Sequence, residues 1–267
     1  MLKYKLVACD LDDTLLRQDF SVSEKNLQAI RRVQSLGTRF VIITGRITAA
    51  ALPIIKSIGI QEPFATFQGA SIVDYTTMEE WYRCDLERNQ IVGILRYAEM
   101  HNIHVNIYDH EKIYVKALNQ WTDLYQNYAR NVEIVPVGSL QAYAFEKTPK
   151  MILVGEPEQL KKAEKAISEF IPSHVNMFYS KKNFLEFTNL NATKGHALAF
   201  LADKWGIDPW ETMAIGDNFN DLSMIEYAGM GVCVENGEQG VKEKSQYITG
   251  TNENDGVAQV LEKFILS

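Results

Sequence analysis

Short apolar runs alternate with segments of helical periodicity in the first part of the chain. Residues 4–9 and 39–44 are almost continuously apolar, which is typical of parallel strands that are covered on both faces. Residues 21–37 between them carry apolar side chains at helical spacing, after a serine cap and before a terminal glycine. A helix at 49–58 and a third strand at 63–67 continue the order. This alternation predicts an α/β fold with a doubly wound, Rossmann-like parallel sheet.

The pattern changes near Trp81 and resumes after Lys194. In the middle part, short strands come in pairs joined by polar turns at 109–111 and 181–183, which predicts antiparallel hairpins. The predicted helices here are 91–100, 118–128 and 157–170, and the predicted strands are 105–108, 112–115, 151–154, 176–179 and 184–187. The elements predicted after Lys194 are a helix to residue 205, a strand at 213–216, a helix at 221–228, a strand at 231–234 and a helix from 257.

The interruption predicts two domains. Residues 1–82 and 189–267 form the predicted core domain, and residues 83–188 form an α+β domain inserted into it. The length of 267 residues is sufficient for two ordinary domains, each with its own apolar core.

Composition and charge narrow the possible partners. A formal net charge of −7 gives no general attraction to nucleic acid or to an anionic membrane. No apolar run approaches the roughly 18 residues of a membrane span. Cys9, Cys84 and Cys233 are scattered, without the spacing of a zinc site or a disulfide framework. These features predict a cytoplasmic protein that binds neither nucleic acid nor a membrane; the sequence does not specify an oligomeric state.

Polar side chains follow the predicted strands of the core domain. Because ligands of open α/β sheets bind outside the carboxyl ends of the strands, these residues are the candidate site. They are Asp10 and Asp12 after the first strand, Thr44 and Gly45 after the second, Asp217, Asn220 and Asp221 after the strand that follows the insertion, and Lys194 at the start of a helix.

The residue types in this set favour metal-assisted phosphoryl transfer. Carboxylates from separate strands, with no histidine or cysteine among them, suit a hard divalent ion, and Mg²⁺ is the natural candidate. A lysine and a threonine hydroxyl beside such an ion suit a phosphoryl group. One carboxylate can then act as nucleophile, and a second can give a proton to the leaving group and later take one from water.

The order of these motifs resembles the haloacid dehalogenase-like superfamily. The motifs are Asp-x-Asp-x-Thr at 10–14, Thr-Gly at 44–45, Lys194 and Gly-Asp-x-x-x-Asp at 216–221. Their fuller spellings, ITGR, TKG and GDNFNDLSM, resemble the Cof branch. The resemblance implies a Mg²⁺-dependent phosphatase of a small phosphorylated metabolite, a sugar phosphate or a similar compound. It also implies a cap domain between the second and third motifs, where the insertion lies.

The resemblance also implies roles for individual residues. Asp10 would be the nucleophile, and Asp12 the acid/base, whose backbone carbonyl also contacts the metal. Asp217 would bind the metal from the neighbouring strand, and Asp221 would help to hold the metal site or the lysine. The metal set is therefore Asp10, Asp12, Asp217 and Asp221, and the phosphate-binding set is Thr44, Gly45, Lys194 and Asn220.

The sequence departs from the family pattern at three places. Asp13 stands where many members have glycine, and we expect a solvated turn residue. Gln68 stands where asparagine is commoner, and we assign it no catalytic role. Asn189 and Asn191 replace a proline and a glycine, which we expect to alter the hinge into the core domain.

Two other functions share much of this chemistry. A phosphotransferase or mutase would pass the phosphoryl group to a second sugar instead of water, and the core motifs fit it equally well. A phospho-acceptor switch also uses a strand-end aspartate with neighbouring acids, a threonine and a lysine. Such receivers are shorter, have no cap and lack an acid two residues after the acceptor, so we favour hydrolysis.

Overall fold

The computed structural model describes residues 3–109, 111–127, 132–143, 145–171 and 173–267. Its contacts divide the chain into two compact units. The first unit comprises Met1–Gly45, Ile54–Trp81 and Thr193–Ser267, and the second comprises Arg46–Pro53 and Tyr82–Ala192. The predicted domain boundaries, at 82/83 and 188/189, stay predictions; the division by contacts also groups Arg46–Pro53 with the second unit.

The elements of the described residues are numbered along the chain. The strands are β1 (Leu6–Cys9), β2 (Arg39–Ile42), β3 (Phe64–Thr66), β4 (Ser71–Val73), β5 (Glu80–Arg83), β6 (Leu86–Glu87), β7 (His104–Tyr108), β8 (Lys112–Val115), β9 (Glu133–Pro136), β10 (Lys147–Thr148), β11 (Met151–Val154), β12 (Val175–Lys181), β13 (Phe184–Asn189), β14 (Thr212–Gly216), β15 (Met230–Val234) and β16 (Tyr247–Thr249). The α-helices are α1 (Glu24–Ser35), α2 (Thr48–Ile58), α3 (Arg88–Met100), α4 (Gln120–Gln126), α5 (Pro157–Ser168), α6 (Lys194–Lys204), α7 (Leu222–Tyr227), α8 (Gln239–Lys242) and α9 (Gly256–Leu261).

The first unit contains a five-stranded parallel sheet in the order β16-β15-β14-β1-β2. β1 pairs with β14 on one side, with Leu6 opposite Thr212, and with β2 on the other, with Leu6 opposite Arg39. From β1, the sheet therefore extends to β2 on one side and to β14, β15 and β16 on the other. Ligands of doubly wound sheets bind where the order reverses in this way. The predicted α/β class and parallel sheet are confirmed.

The predicted third strand lies apart from this sheet. β3 pairs antiparallel with β4 in a separate sheet of order β3-β4-β5, and one parallel bridge, between Ile43 and Ala65, joins it to the end of β2. Phe67 and Gln68 have φ values of 52° and 62°. This left-handed backbone turns the chain back after three strand residues, so β3 has no length left for a parallel ladder.

Local sequence signals explain the ends of α1. The Ser23 hydroxyl accepts a hydrogen bond of 3.1 Å from the Asn26 backbone N–H, as expected of a helix cap. Gly37 follows the helix with a φ of 93°, which glycine adopts at little cost. Both the serine cap and the glycine stop were predicted from the sequence and are confirmed.

The second unit contains a six-stranded sheet in the order β12-β13-β11-β7-β8-β9. The predicted hairpins, β7 with β8 and β12 with β13, are both antiparallel. Alternate residues such as Val105, Ile107 and Leu153 form an apolar core together with residues of α3 and α5, including Ile94 and Leu160. One face of the sheet is therefore apolar and covered by two helices.

The helix predicted at 118–128 corresponds to α4, which begins two residues later. Asn119 caps it by accepting hydrogen bonds from the backbone N–H groups of the next turn. Residue 128, and residue 110 of the predicted turn, lie outside the described residues. Among the helices of the described ranges, none has both the length and the apolar character needed to cross a bilayer.

Candidate active site

Asp10 and Asp217 lie at the carboxyl ends of neighbouring parallel strands. The Asp10 backbone N–H donates to the Ile215 carbonyl at 3.0 Å, which continues the ladder between β1 and β14 by one residue. One carboxylate oxygen from each of Asp10, Asp217 and Asp221 lies within 4.8 Å of the others. The sheet thus brings together three acids that are up to 211 positions apart in the chain.

Lys194 joins two of these acids through a fully buried ammonium. Its Nζ lies 2.6 Å from Asp10 Oδ1 and 2.5 Å from Asp221 Oδ1. The lysine is the first residue of α6, which Thr193 caps by accepting a hydrogen bond from His196 N–H. Burial lowers the pKa of Lys194, but the two carboxylates outweigh this and raise it above its ordinary value. The ammonium therefore stays charged.

Asp221 is held on both of its oxygens. Oδ1 accepts from Lys194, and Oδ2 accepts from the backbone N–H groups of Asp217 and Asn218 at 2.9 and 3.0 Å. A Cβ at Gly216 would lie 2.5 Å from the Asp221 side chain, so this approach requires glycine at 216. Asp221 thus fixes both Lys194 and the loop that carries Asp217.

Burial and mutual repulsion disfavour the charged forms of Asp10 and Asp217. Burial raises the pKa of Asp10 well above its ordinary value; Lys194 opposes this shift, and Asp221, Asp217 and Asp12 add to it. Burial, followed by the charge of Asp221, raises the pKa of Asp217 to about 7. A divalent cation would relieve this repulsion, and a cluster made only of carboxylate oxygens fits a hard ion.

Asp12 and Asp13 have different positions in the loop after β1. Asp12 is half-buried, and its charge acts on Asp10, although its carboxylate is not part of the three-acid cluster. Asp13 is exposed, and its backbone lies in the left-handed region with a φ of 58°. Its carbonyl accepts a hydrogen bond from Asn236 Nδ2 at 2.7 Å. Aspartate tolerates this backbone region better than most residues, which explains how it replaces the commoner glycine.

Thr14 contacts the candidate site, although no role for it was predicted from the sequence. Its hydroxyl donates to Asp217 Oδ1 at 2.9 Å, across 203 positions of the chain, and the residue is fully buried. The only sequence signal was its place as the last residue of the Asp-x-Asp-x-Thr motif. Thr14 orients the carboxylate of the second strand from the loop of the first.

Gln68 links the predicted phosphate-binding residues, although it was assigned no catalytic role. Its side-chain Oε1 accepts a hydrogen bond from Asn220 Nδ2 at 3.0 Å, and its backbone N–H donates to the Thr44 carbonyl at 3.1 Å. A Cβ at Gly45 would lie 2.4 Å from Gln68 Nε2, so the amide packs against the bare glycine backbone. Thr44 itself is 1% exposed. The structure thus brings Thr44, Gly45 and Asn220 into contact with one residue, Gln68.

Comparison with known proteins agrees with this geometry. A sequence profile described as haloacid dehalogenase-like hydrolase matches residues 7–261. A Haemophilus influenzae protein named "Putative phosphatase" is 32% identical over 264 residues, covering 98% of each chain. The 5-amino-6-(5-phospho-D-ribitylamino)uracil phosphatase YitU of Bacillus subtilis is 26% identical over 275 residues, covering 97% of each chain.

Solved structures agree at the level of the whole chain. The crystal structure of a haloacid dehalogenase-like hydrolase from Bacteroides thetaiotaomicron superposes with a TM-score of 0.90 at 28% identity, covering 98% of this chain and 99% of the other. The profile match, the named relatives and the shared fold agree with the cluster of acids and lysine. The chain therefore belongs to the haloacid dehalogenase-like hydrolases and is a phosphatase of that family.

Proposed function

We propose that the protein is a Mg²⁺-dependent phosphatase that hydrolyses a small phosphorylated metabolite through an aspartyl-phosphate on Asp10. The observation that supports this most strongly is the buried contact of Lys194 with Asp10, beside the carboxylates of Asp217 and Asp221. A nucleophilic carboxylate needs an adjacent permanent cation to approach a phosphate dianion, and Lys194 meets that need.

In the first step, a carboxylate oxygen of Asp10 attacks phosphorus and the bond to the leaving oxygen breaks. Asp12, in its protonated form, gives its proton to that oxygen, so the product is a neutral alcohol. In the second step, Asp12 takes a proton from water as the water oxygen attacks phosphorus. The Asp10–phosphorus bond then breaks, phosphate leaves, and both aspartates return to their starting states.

The metal would be held by Asp10, Asp217 and the backbone carbonyl of Asp12. When bound, Mg²⁺ would offset the negative charge of the phosphoryl oxygens and of the clustered acids. Asp221 would support this site indirectly, because both its oxygens already hold Lys194 and the Asp217 loop. Thr14 would keep the Asp217 carboxylate in position.

The phosphoryl oxygens would be bound by Thr44, Gly45, Lys194 and Asn220. Gln68 would orient this group, because it contacts Gly45 and accepts the hydrogen bond from Asn220. The YitU relative is named for a substrate that carries a phosphorylated ribityl chain. We therefore take sugar phosphates and sugar-alcohol phosphates as the first substrate candidates.

The test is phosphate release from a panel of phosphorylated metabolites, with Mg²⁺ or EDTA, for the wild type and for Asp10→Asn. Asp13→Asn is the matched control, since it removes an exposed carboxylate from the same loop and leaves the cluster intact. Turnover that needs both the metal and Asp10, and survives in the control, is the expected result. Asp12→Asn should also lose turnover, and near-normal activity in it would refute the acid/base assignment.

A phosphotransferase would give a different result in the same assay. Phosphate release would be absent or slow with water alone, and phosphoryl transfer to an added sugar would exceed it. Stable, metal-dependent labelling of Asp10 without turnover would instead indicate a phospho-acceptor switch.

A further inference from the structure

Asp12 lies in an irregular turn, residues 11–16, which we call the aspartate turn. The Leu16 backbone N–H donates to the Leu11 carbonyl at 2.8 Å, one residue further back than in an α-helix. Inside the turn, Asp12 has a ψ of 132° and Asp13 has a φ of 58°, so neither residue is helical. Single wide turns of this kind are frequent at functional sites. A regular ladder of backbone bonds does not hold the turn, so the position of Asp12 depends on contacts from other parts of the chain.

Two asparagine side chains bind the backbone of the aspartate turn. Asn236 Nδ2 donates to the Asp13 carbonyl at 2.7 Å, and Asn252 Nδ2 donates to the Leu16 carbonyl at 2.9 Å. The two asparagines are also joined to each other, because the Asn252 backbone N–H donates to Asn236 Oδ1 at 2.9 Å. This bond orients the Asn236 amide so that its Nδ2 faces the turn. One of the bound carbonyls belongs to the residue directly after Asp12, and the other lies at the end of the turn.

Asn252 belongs to a loop that is itself closely packed, residues 250–256, which we call the support loop. Asn252 is 4% exposed. The two ends of the support loop meet, since a Cβ at Gly256 would collide with the Gly250 carbonyl oxygen. The Gly256 backbone N–H also donates to the Thr251 carbonyl at 3.0 Å, and α9, which begins at Gly256, contributes buried residues to the core. The support loop therefore offers the aspartate turn a fixed point of attachment.

Two further contacts join the support loop to the residues that follow the aspartate turn. The Arg17 guanidinium donates to Asp255 Oδ1 at 2.9 Å, and the Gln18 backbone N–H donates to Glu253 Oε1 at 2.8 Å. Both contacts are partly or fully exposed, so each contributes little to stability by itself. They add to the asparagine contacts a second attachment of the same segment to the same loop.

The exposure of Asn236 indicates what these contacts achieve. Asn236 lies at the surface, where water can replace its bond to the Asp13 carbonyl at little cost in stability. Its main effect is therefore to select one position for that carbonyl and for the residue before it. An acid/base must lie within hydrogen-bond reach of the oxygen that it protonates, and a displacement of about 1 Å can cost about 100-fold in rate.

We propose that Asn236 and Asn252 are positioning residues for the reaction, and that they set the place of the Asp12 carboxyl through the backbone of the aspartate turn. The inference rests on the acid/base role proposed above for Asp12. Neither asparagine contacts the substrate in this account. Each acts through a backbone carbonyl, so the loss of either should impair proton transfer by Asp12 and leave the attack by Asp10 intact.

The first arm of the test compares two leaving groups. p-Nitrophenolate leaves as a stable anion, whereas the alcohol of a sugar phosphate must receive a proton as its bond to phosphorus breaks. The kcat/KM of wild type, Asn236→Ala and Asn252→Ala is measured with p-nitrophenyl phosphate and with whichever of glucose 6-phosphate and ribitol 5-phosphate wild type hydrolyses faster. We expect kcat/KM for the sugar ester to fall about tenfold or more in both variants, and that for p-nitrophenyl phosphate to change less than about threefold.

The separate values of kcat and KM give an independent signature. Formation of the aspartyl-phosphate from p-nitrophenyl phosphate needs no acid, but its hydrolysis needs Asp12 as a base. With this ester, kcat and KM should therefore fall together in both variants while their ratio is kept. A general loss of structure would instead lower kcat/KM for both esters by the same factor. Asp12→Asn, measured alongside, should show the same dependence on the leaving group in a stronger form.

The second arm measures the aspartate turn directly by hydrogen–deuterium exchange and mass spectrometry. Peptides covering residues 11–18 should exchange faster in Asn236→Ala and Asn252→Ala than in wild type. Asn183→Ala is the matched control, because it removes a bond of 2.7 Å from an asparagine Nδ2 to the Gly155 carbonyl in the second unit. It should leave both this exchange and the ratio of the two kcat/KM values unchanged. Circular dichroism confirms the folding of each variant.

The proposal is overturned if the two esters lose kcat/KM by equal factors, if neither loses it, or if the exchange of residues 11–18 is unchanged. Failure of the proposed function gives a different result. If Asp12→Asn loses both esters equally, the acid/base assignment fails, and the role given to the asparagines fails with it. If wild type hydrolyses no ester, the proposed phosphatase fails, while faster exchange in the variants would still support the hold of the asparagines on the turn.

Discussion

Asp217→Asn should raise the free energy of unfolding of the metal-free protein. It should also reduce the further stabilisation that Mg²⁺ provides. Asp217 is 9% exposed, and burial together with the charge of Asp221 raises its pKa from an ordinary 3.8 to about 7. The pKa of Asp217 is thus higher in the folded state than in the unfolded state, so protonation of Asp217 stabilises the folded state. This stabilisation is complete below about pH 4 and is lost as the pH rises through about 7. Above pH 7 the native carboxylate is therefore a cost that the asparagine variant avoids.

The free-energy cost of the charged Asp217 carboxylate follows from the shift in its pKa. A rise of about three pKa units, at about 1.4 kcal/mol per unit, corresponds to an upper limit on the order of 4 kcal/mol. The asparagine side chain of the variant keeps an oxygen for the Thr14 hydroxyl, so the packing changes little. In EDTA at pH 8, Asp217→Asn should unfold at a higher urea concentration than wild type, and at pH 4 the two should nearly coincide.

Bound metal should narrow the stability difference between the two proteins. A ligand at 100 times its dissociation constant stabilises the folded state by about 2.7 kcal/mol, and wild type should gain on this scale from saturating Mg²⁺ at pH 8. Asp217→Asn, which lacks one of the proposed ligands, should gain much less. Urea unfolding followed by circular dichroism, with and without Mg²⁺ at both pH values, gives the unfolding midpoint of each protein under each condition. Asp13→Asn is the control, because its exposed carboxylate should change the midpoints only slightly.

The reasoning is refuted if Asp217→Asn is less stable than wild type in EDTA at pH 8, or if both proteins gain equally from Mg²⁺. Either result would mean that the Asp217 carboxylate is neither strained without metal nor a ligand when metal is present.

Two further variants test the contacts around the cluster. Lys194→Met leaves Asp10 and Asp221 without their shared buried cation, so phosphate release should disappear. The free energy of unfolding in EDTA should fall by about 3–5 kcal/mol. An unfolding midpoint in urea equal to that of wild type would contradict a stabilising ion pair. Thr14→Val removes the 2.9 Å hydrogen bond to Asp217, and the Mg²⁺ concentration for half-maximal activity should rise about 10–100-fold. An unchanged Mg²⁺ dependence, with normal circular dichroism, would show that Thr14 does not orient the ligand.

The convergence of the candidate site residues could be predicted from the sequence because it depends on local pattern. A short apolar run followed by acids places Asp10 at the carboxyl end of a parallel strand, and the same reasoning places Thr44 and Asp217. Parallel strands end at a common edge, so residues of this kind converge without any knowledge of side-chain packing. The motif order then identified the family, and the comparisons confirmed it.

The predicted third strand is present as Phe64–Thr66, but its main pairing departs from the regular pattern. Residues 63–67 have the composition of a further parallel strand, but the left-handed turn at Phe67 and Gln68 directs the chain into a separate antiparallel sheet. Composition indicates which segments prefer strand structure, whereas the strand with which a segment pairs depends on the conformation of the turn that follows it.

The chain alone thus determined which residues gather at one edge of the sheet, and the tertiary structure decided how they are held there. The bond from Thr14 to Asp217 spans 203 positions, and the bond from Asn220 to Gln68 spans 152. Such contacts leave no periodic trace in the sequence, because each is set by the relative placement of whole strands and helices rather than by its neighbours along the backbone.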